Sequence, residues 1–156
     1  MLFRSYIVAI DDLEFIEFTG EFSDLEELSK AELGAYAAKT WLGLRTLNDY
    51  VKAKLNGDAN AGIQQFLTNP PSGYYVNWPA GKYAAKESES VERDVELRKE
   101  RTFRVPKTVD PSGMLYMSSH LKIGVKLRAH FYDDVANTRK IYLGYIGNHL
   151  RTVSTN

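Results

Sequence analysis

The chain has 156 residues, 44% hydrophobic and 26% charged, which is enough apolar material for one domain with a core and too much for a disordered chain. It has no cysteine, which excludes disulfides, thiolate metal sites and a thiol nucleophile. It is formally neutral but splits in charge: residues 1–80 carry 6 Lys/Arg against 11 Asp/Glu, and residues 81–156 carry 14 against 9.

The charge split points the second half towards polyanions. No apolar run approaches the roughly 20 residues of a membrane helix. The start of the chain lacks the pattern of a signal peptide. A cytoplasmic protein with no membrane partner is therefore expected. The expected organisation is a single domain over residues 1–156, with an acidic, mainly helical part over 1–73 and a basic, mainly β part over 74–156.

In chain order, residues 2–10 are β-branched and aromatic, and Leu13, Phe15 and Phe18 alternate with acidic residues. Together they predict an N-terminal β-hairpin. Ser23-Asp24-Leu25-Glu26 reads as a capping box that opens a helix. Two apolar stripes follow at helical spacing. One runs Leu25, Leu28, Ala31, Ala35, Ala38 and Leu42; the other runs Leu33, Ala37, Leu44, Leu47, Val51 and Leu55. They predict one long helix ended by Asn56-Gly57, with Gly34 and Gly43 as points of close packing or kinking. Residues 59–68 predict a shorter helix that buries Ile63, Phe66 and Leu67.

Asn69-Pro70-Pro71-Ser72-Gly73 marks the main boundary, and an aromatic loop with Tyr74, Tyr75, Trp78 and Tyr83 follows. Residues 84–101 read as a solvated helix or an arm, with Glu89–Arg93 and Asp94–Arg98 as i,i+4 pairs. The last third predicts strands over 102–105, 114–117, 121–131 and 140–146, with a turn at Asp110–Gly113 and a loop at Asp133–Thr138. The expected class is α+β: an N-terminal hairpin, one long and one short helix, and a C-terminal antiparallel β unit.

No compact catalytic or metal motif stands out. His120, His130 and His149 are ten and nineteen residues apart, which matches no metal signature. They read as isolated side chains, and neither a metal nor another cofactor is assigned. Asp133-Asp134 reads as a turn, where Asp side chains hold backbone amides. Gly144 and Gly147 read as a bulge and a left-handed turn.

The basic residues give the leading functional expectation, a non-enzymatic module that binds nucleic acid. Lys122, Lys126 and Arg128 share parity along one predicted strand with Tyr132, and Arg139 and Lys140 follow. Cations there would meet phosphates, and the ring would stack on a base. The alternative is an adaptor or self-associating subunit that meets a protein partner through the long helix and through Tyr74, Tyr75, Trp78 and Tyr83. A third reading is a small metal-assisted hydrolase built on His120, His130, Asp133 and Asp134.

Overall fold

A computed structural model describes residues 9–30 and 34–155. The chain is α+β, and the expected class holds. Strand β1 (Ile16–Phe18) leads to helices α1 (Phe22–Lys30), α2 (Gly34–Leu55) and α3 (Ile63–Thr68). Next come β2 (Tyr83–Ala84), two short helices α4 (Glu89–Arg93) and α5 (Val95–Lys99), and the strands β3 (Thr102–Arg104) and β4 (Met114–Tyr116). The chain continues through β5 (His120–Lys122), β6 (Leu127–Asp133), a one-turn helix α6 (Val135–Thr138) and β7 (Ile141–Asn148).

Five strands form one mixed sheet in the order β1-β7-β6-β5-β2, and β3 and β4 form a separate antiparallel pair. Of the expected N-terminal hairpin, residues 2–8 lie outside the described residues, and Ala9 and Ile10 are helical. The second half of that hairpin is β1, which pairs in parallel with β7, Ile16 opposite Ile141. Its partner is therefore the last strand of the chain.

The expected long helix is present as α1 and α2, and residues 31–33 between them lie outside the described residues. The helix α1 starts at Phe22, so Ser23 sits inside its first turn and not in the capping position ahead of it. The stripe Ala37, Leu44, Leu47 and Val51 is buried against the sheet, whereas Ala35 and Ala38 of the other stripe are exposed. Gly43 is the point of closest approach: a Cβ there would stand 2.8 Å from Leu121 Cδ1 and 3.1 Å from the Trp78 ring. The helix stops where expected, with Gly57 in the left-handed region at φ 79°.

The stretch 121–131 is not one strand. It is a hairpin, β5 and β6, turned through Gly124-Val125-Lys126. On β6, Leu127, Ala129 and Phe131 enter the main core beneath the helices, and Arg128, His130 and Tyr132 have the opposite parity. Strand β7 slips by one residue against β6: His130 faces Tyr145, and the next residue, Phe131, faces Leu143. Gly144 is the extra residue, as the sequence suggests. The slip lets Leu143 and Ile146, three apart, both reach the main core, while Tyr142 joins Val105 and Met117 on the far face. Gly144 also admits the β3–β4 pair, since a Cβ there would lie 2.6 Å from Met117 Sδ and 2.7 Å from Phe103 Cβ. Gly147, by contrast, takes no left-handed turn; it lies within β7 opposite Arg128.

Residues 84–101 form two short helices anchored by buried Val91 and Leu97. The expected Glu89–Arg93 pair forms. Asp94 does not pair with Arg98. Its Oδ1 instead accepts from the amides of Glu96 and Leu97, at 2.9 and 3.0 Å, and caps α5.

Candidate functional site

The β5–β6 hairpin pairs residues equidistant from Val125. His120 therefore stands opposite His130, and two residues nearer the turn Lys122 stands opposite Arg128. Directly opposed residues share a face, so all four side chains leave the same side of the sheet. The two imidazole rings lie 4.9 Å apart, centroid to centroid. The Phe103 ring packs on His130 at 5.9 Å and stacks on Tyr145, which closes that side of the pair.

Glu87, from the segment between β2 and α4, completes the group. Glu87, His120 and His130 each offer a ligand atom, and the three atoms lie within 4.8 Å of one another. Ligands 2.0–2.1 Å from a tetrahedral ion stand about 3.4 Å apart, so the three atoms are spread more widely here than around a bound ion. His120 Nδ1 lies 2.9 Å from the Ser118 carbonyl oxygen, and His130 Nδ1 lies 3.0 Å from that of Met117. A carbonyl only accepts, so in these hydrogen bonds each Nδ1 carries the hydrogen and a neutral ring keeps its lone pair on Nε2; His120 Nδ1 also lies 3.8 Å from Glu87 Oε1. Backbone anchoring at one nitrogen is also how metal-binding histidines are commonly oriented.

Electrostatics keep both rings neutral. Burial pushes the pKa of His130 down to about 3, and His120 and Arg101 push the same way against the Met117 carbonyl. Burial also lowers the pKa of His120, with Lys122 and Arg128 adding to the effect and Glu87 opposing it. Arg101, 1% exposed, fixes the carboxylate: its Nε donates to Glu87 Oε1 at 2.7 Å. Its other nitrogens donate to the carbonyls of Leu97 at 3.0 Å and Arg151 at 2.7 Å, with Leu150 at 3.5 Å. Glu87 Oε2 makes no hydrogen bond among the described residues. Beside the carboxylate opens a cleft of about 520 Å³, lined by Lys86, Glu87, Glu89, Glu92 and Ser118.

The residues singled out from the sequence fall in three places. Of the basic residues, Lys122 and Arg128 share a face by cross-strand pairing, and Lys126 sits in the turn. Arg128 Nη1 donates to Gly124 O at 2.7 Å and Leu127 O at 2.8 Å. Its Nε is buried with no partner among the described residues. Tyr132 packs against the Val105, Met117 and Tyr142 cluster. Arg139 and Lys140 lie at the opposite end of β6, about 17 Å along the strand, and Lys140 pairs with Glu17 at 3.3 Å.

The aromatic loop folds back onto the body. Trp78 is 4% exposed, with Nε1 donating to Lys82 O at 3.0 Å, and Tyr83 stacks on Phe131 at 6.2 Å. Tyr75 lies beneath Arg45, 3.9 Å from the guanidinium carbon, and Tyr74 donates to Asp58 Oδ2 at 2.5 Å.

Asp133 and Asp134 do not join the histidines. Asp133 accepts from Tyr50 Oη at 2.8 Å and from the Val135 amide at 3.1 Å, while Asp134 accepts from Asn137 Nδ2 at 3.0 Å and Thr138 Oγ1 at 2.7 Å. Both carboxylates hold the turn at α6. The exposed His149 stands outside the cluster, its amide donating to Lys126 O at 2.6 Å.

Glu87 carried no signal in the sequence. The histidine pair is brought together only by the turn centred on Val125, which places residues ten apart opposite each other.

Compared with profiles of known protein families, with curated proteins and with solved structures, the chain shows no match. Among the described residues, no helix is long and apolar enough to cross a membrane.

Proposed function

We propose that the protein is a metal-assisted hydrolase that holds one divalent d-block ion on Glu87, His120 and His130. The observation that carries this reading is the meeting of two neutral imidazoles and one carboxylate, from separate segments, beside a cleft. Two nitrogens and one oxygen suit zinc, which takes three protein ligands in catalytic sites and leaves a fourth position for water. The ion lowers the pKa of that water and so supplies hydroxide near neutral pH. Arg101 holds Glu87 in place for the ion, and the Ser118 and Met117 carbonyls hold the two rings. The test is titration of the full chain with cobalt(II), read by visible absorption, and with zinc, read by calorimetry. One equivalent per chain is expected, falling at least tenfold in affinity in His120→Gln and in His130→Gln, with folding checked by circular dichroism. Absence of stoichiometric binding to the folded wild-type chain overturns the reading.

A second reading, contact with nucleic acid, draws support from the Lys122–Arg128 rung and the exposed Lys126 beside it. Titration of labelled single- and double-stranded oligonucleotides at two salt concentrations tests it. Neutralising any one cation that meets a phosphate flattens the salt slope by roughly one unit. No binding at low salt removes this reading and leaves the metal site untouched.

A further inference from the structure

The charges around the histidine pair are unusual for a cation site. Arg101 touches Glu87 directly, and Lys122 and Arg128 occupy the next rung on the same face, about 7 Å along the strands from the two histidines. Both of those cations act electrostatically on His120, and Glu87 acts on Arg128. Three positive charges thus stand around Glu87, while Glu89 and Glu92, the other carboxylates of the adjoining cleft, are paired with Arg93 and Arg98. A divalent ion adds two more, so the loaded site carries a large positive excess in a half-buried setting. Such an excess favours an anionic ligand over a neutral one.

Lys122 is half-buried and makes no hydrogen bond or ion pair among the described residues. Lys86, on the cleft lining, is likewise unpaired there and exposed. Arg128 is pinned through Nη1, and its buried Nε lacks a partner among the described residues. The site therefore presents a fixed guanidinium and an ammonium on the rung beside the two histidines, and a second ammonium at the cleft next to Glu89 and Glu92.

Resting on the metal-site reading above, we infer that the substrate is a phosphate ester, its phosphoryl oxygens held between the ion and the Lys122–Arg128 rung. A carboxyl ester is neutral and would leave the excess charge unmatched; a phosphate ester carries one or two negative charges and several acceptor oxygens. In the reaction, the oxygen of the metal-bound hydroxide forms a bond to phosphorus as the ester P–O bond breaks. The departing alkoxide takes a proton from water, so phosphate (or a phosphomonoester, from a diester) and an alcohol result. No redox partner is needed. The ester group comes either from a small phosphomonoester or from the diester backbone of a nucleic acid, and the chemistry of recognition is the same.

The experiment uses the zinc-loaded full chain with four probes: p-nitrophenyl phosphate, bis(p-nitrophenyl) phosphate, a single-stranded oligonucleotide and p-nitrophenyl acetate. Inorganic phosphate serves as inhibitor. Hydrolysis of at least one phosphate ester is expected, with inhibition by phosphate. Lys122→Met should weaken phosphate inhibition and kcat/KM for that ester by roughly tenfold to a hundredfold, the value of a charge-assisted contact. It should not weaken zinc binding, because it removes a positive charge from beside the site. Activity on the monoester alone identifies a phosphomonoesterase; activity on the diester or the oligonucleotide identifies a backbone-cleaving enzyme. A chain that binds zinc but hydrolyses only the acetate, or no probe, or that is indifferent to phosphate and to Lys122→Met, overturns this inference and leaves the metal site standing. A chain that does not bind zinc overturns both.

Discussion

Arg101 shows how one side chain joins distant parts of the chain. It is buried, yet it is paired with Glu87 and reaches carbonyls of Leu97, Leu150 and Arg151. A planar guanidinium with five donors can serve all of these at once, and a lysine cannot. Arg101→Leu leaves Glu87 as a buried charge without its partner and should cost about 3–5 kcal/mol in urea denaturation. The double variant Arg101→Leu with Glu87→Gln should recover part of that loss, because the orphaned charge is removed as well.

His130 imposes a pH dependence on the metal-free protein. Its folded pKa lies near 3, below the ordinary value of 6.5, through burial first and the neighbouring His120 and Arg101 next. The unfolded chain takes up a proton that the folded one refuses. The stability from neutral His130 is therefore complete above about pH 6.5 and is lost as the pH falls towards 3. Urea midpoints should drop between pH 7.5 and pH 5, and the drop should be smaller in His130→Gln.

At the scale of elements, Gly43 and Asp94 make the contrast between what the sequence shows and what it hides. Gly43→Ala gains about 1 kcal/mol of helix propensity. It also drives a methyl group into Leu121 and Trp78, at 2.8 and 3.1 Å. Overpacking a filled core costs about 1–3 kcal/mol, so a net loss is expected, read as a lower thermal midpoint. Asp94→Ala removes a cap with two amide contacts and should cost about 1 kcal/mol, whereas Ser23→Ala, inside its helix, should cost less.

The close-packing role of Gly43, the stop at Gly57, the bulge at Gly144 and the buried stripe of α2 are all legible in the sequence, because each is a local rule written in local residues. The break at Gly124–Lys126 is not legible, because apolar and basic residues alternate straight through it. That turn creates the opposition of His120 and His130, so an unbroken strand hides it. The same turn gives Lys122 and Arg128 their shared face through cross-strand pairing, not through parity along one strand. The parallel pairing of β1 with β7 joins residues more than a hundred positions apart, and no local pattern specifies such a partner. Glu87 is hidden for the same reason, since its meaning comes only from what folds against it.

The whole molecule ties its last described segment to the candidate site. After β7 the backbone passes over Arg101, and the carbonyl oxygens of Leu150 and Arg151 accept from its Nη2. Arg151 in turn pairs with Glu100, the residue before Arg101. The segment that follows the sheet thus fixes the guanidinium that fixes Glu87. A chain ended at Arg151 keeps both carbonyl oxygens, and a chain ended at His149 loses them. Each buried donor left without an acceptor costs about 1–3 kcal/mol, so the shorter chain should melt at a lower temperature while the longer one stays near wild type. The shorter chain should also bind cobalt more weakly, because Arg101 is then free to shift and carry Glu87 away from the two imidazoles. Loss of thermal stability without loss of cobalt affinity would make the segment a fastening of the fold alone, and equal behaviour of the two truncations would sever the link between Arg101 and the residues after β7.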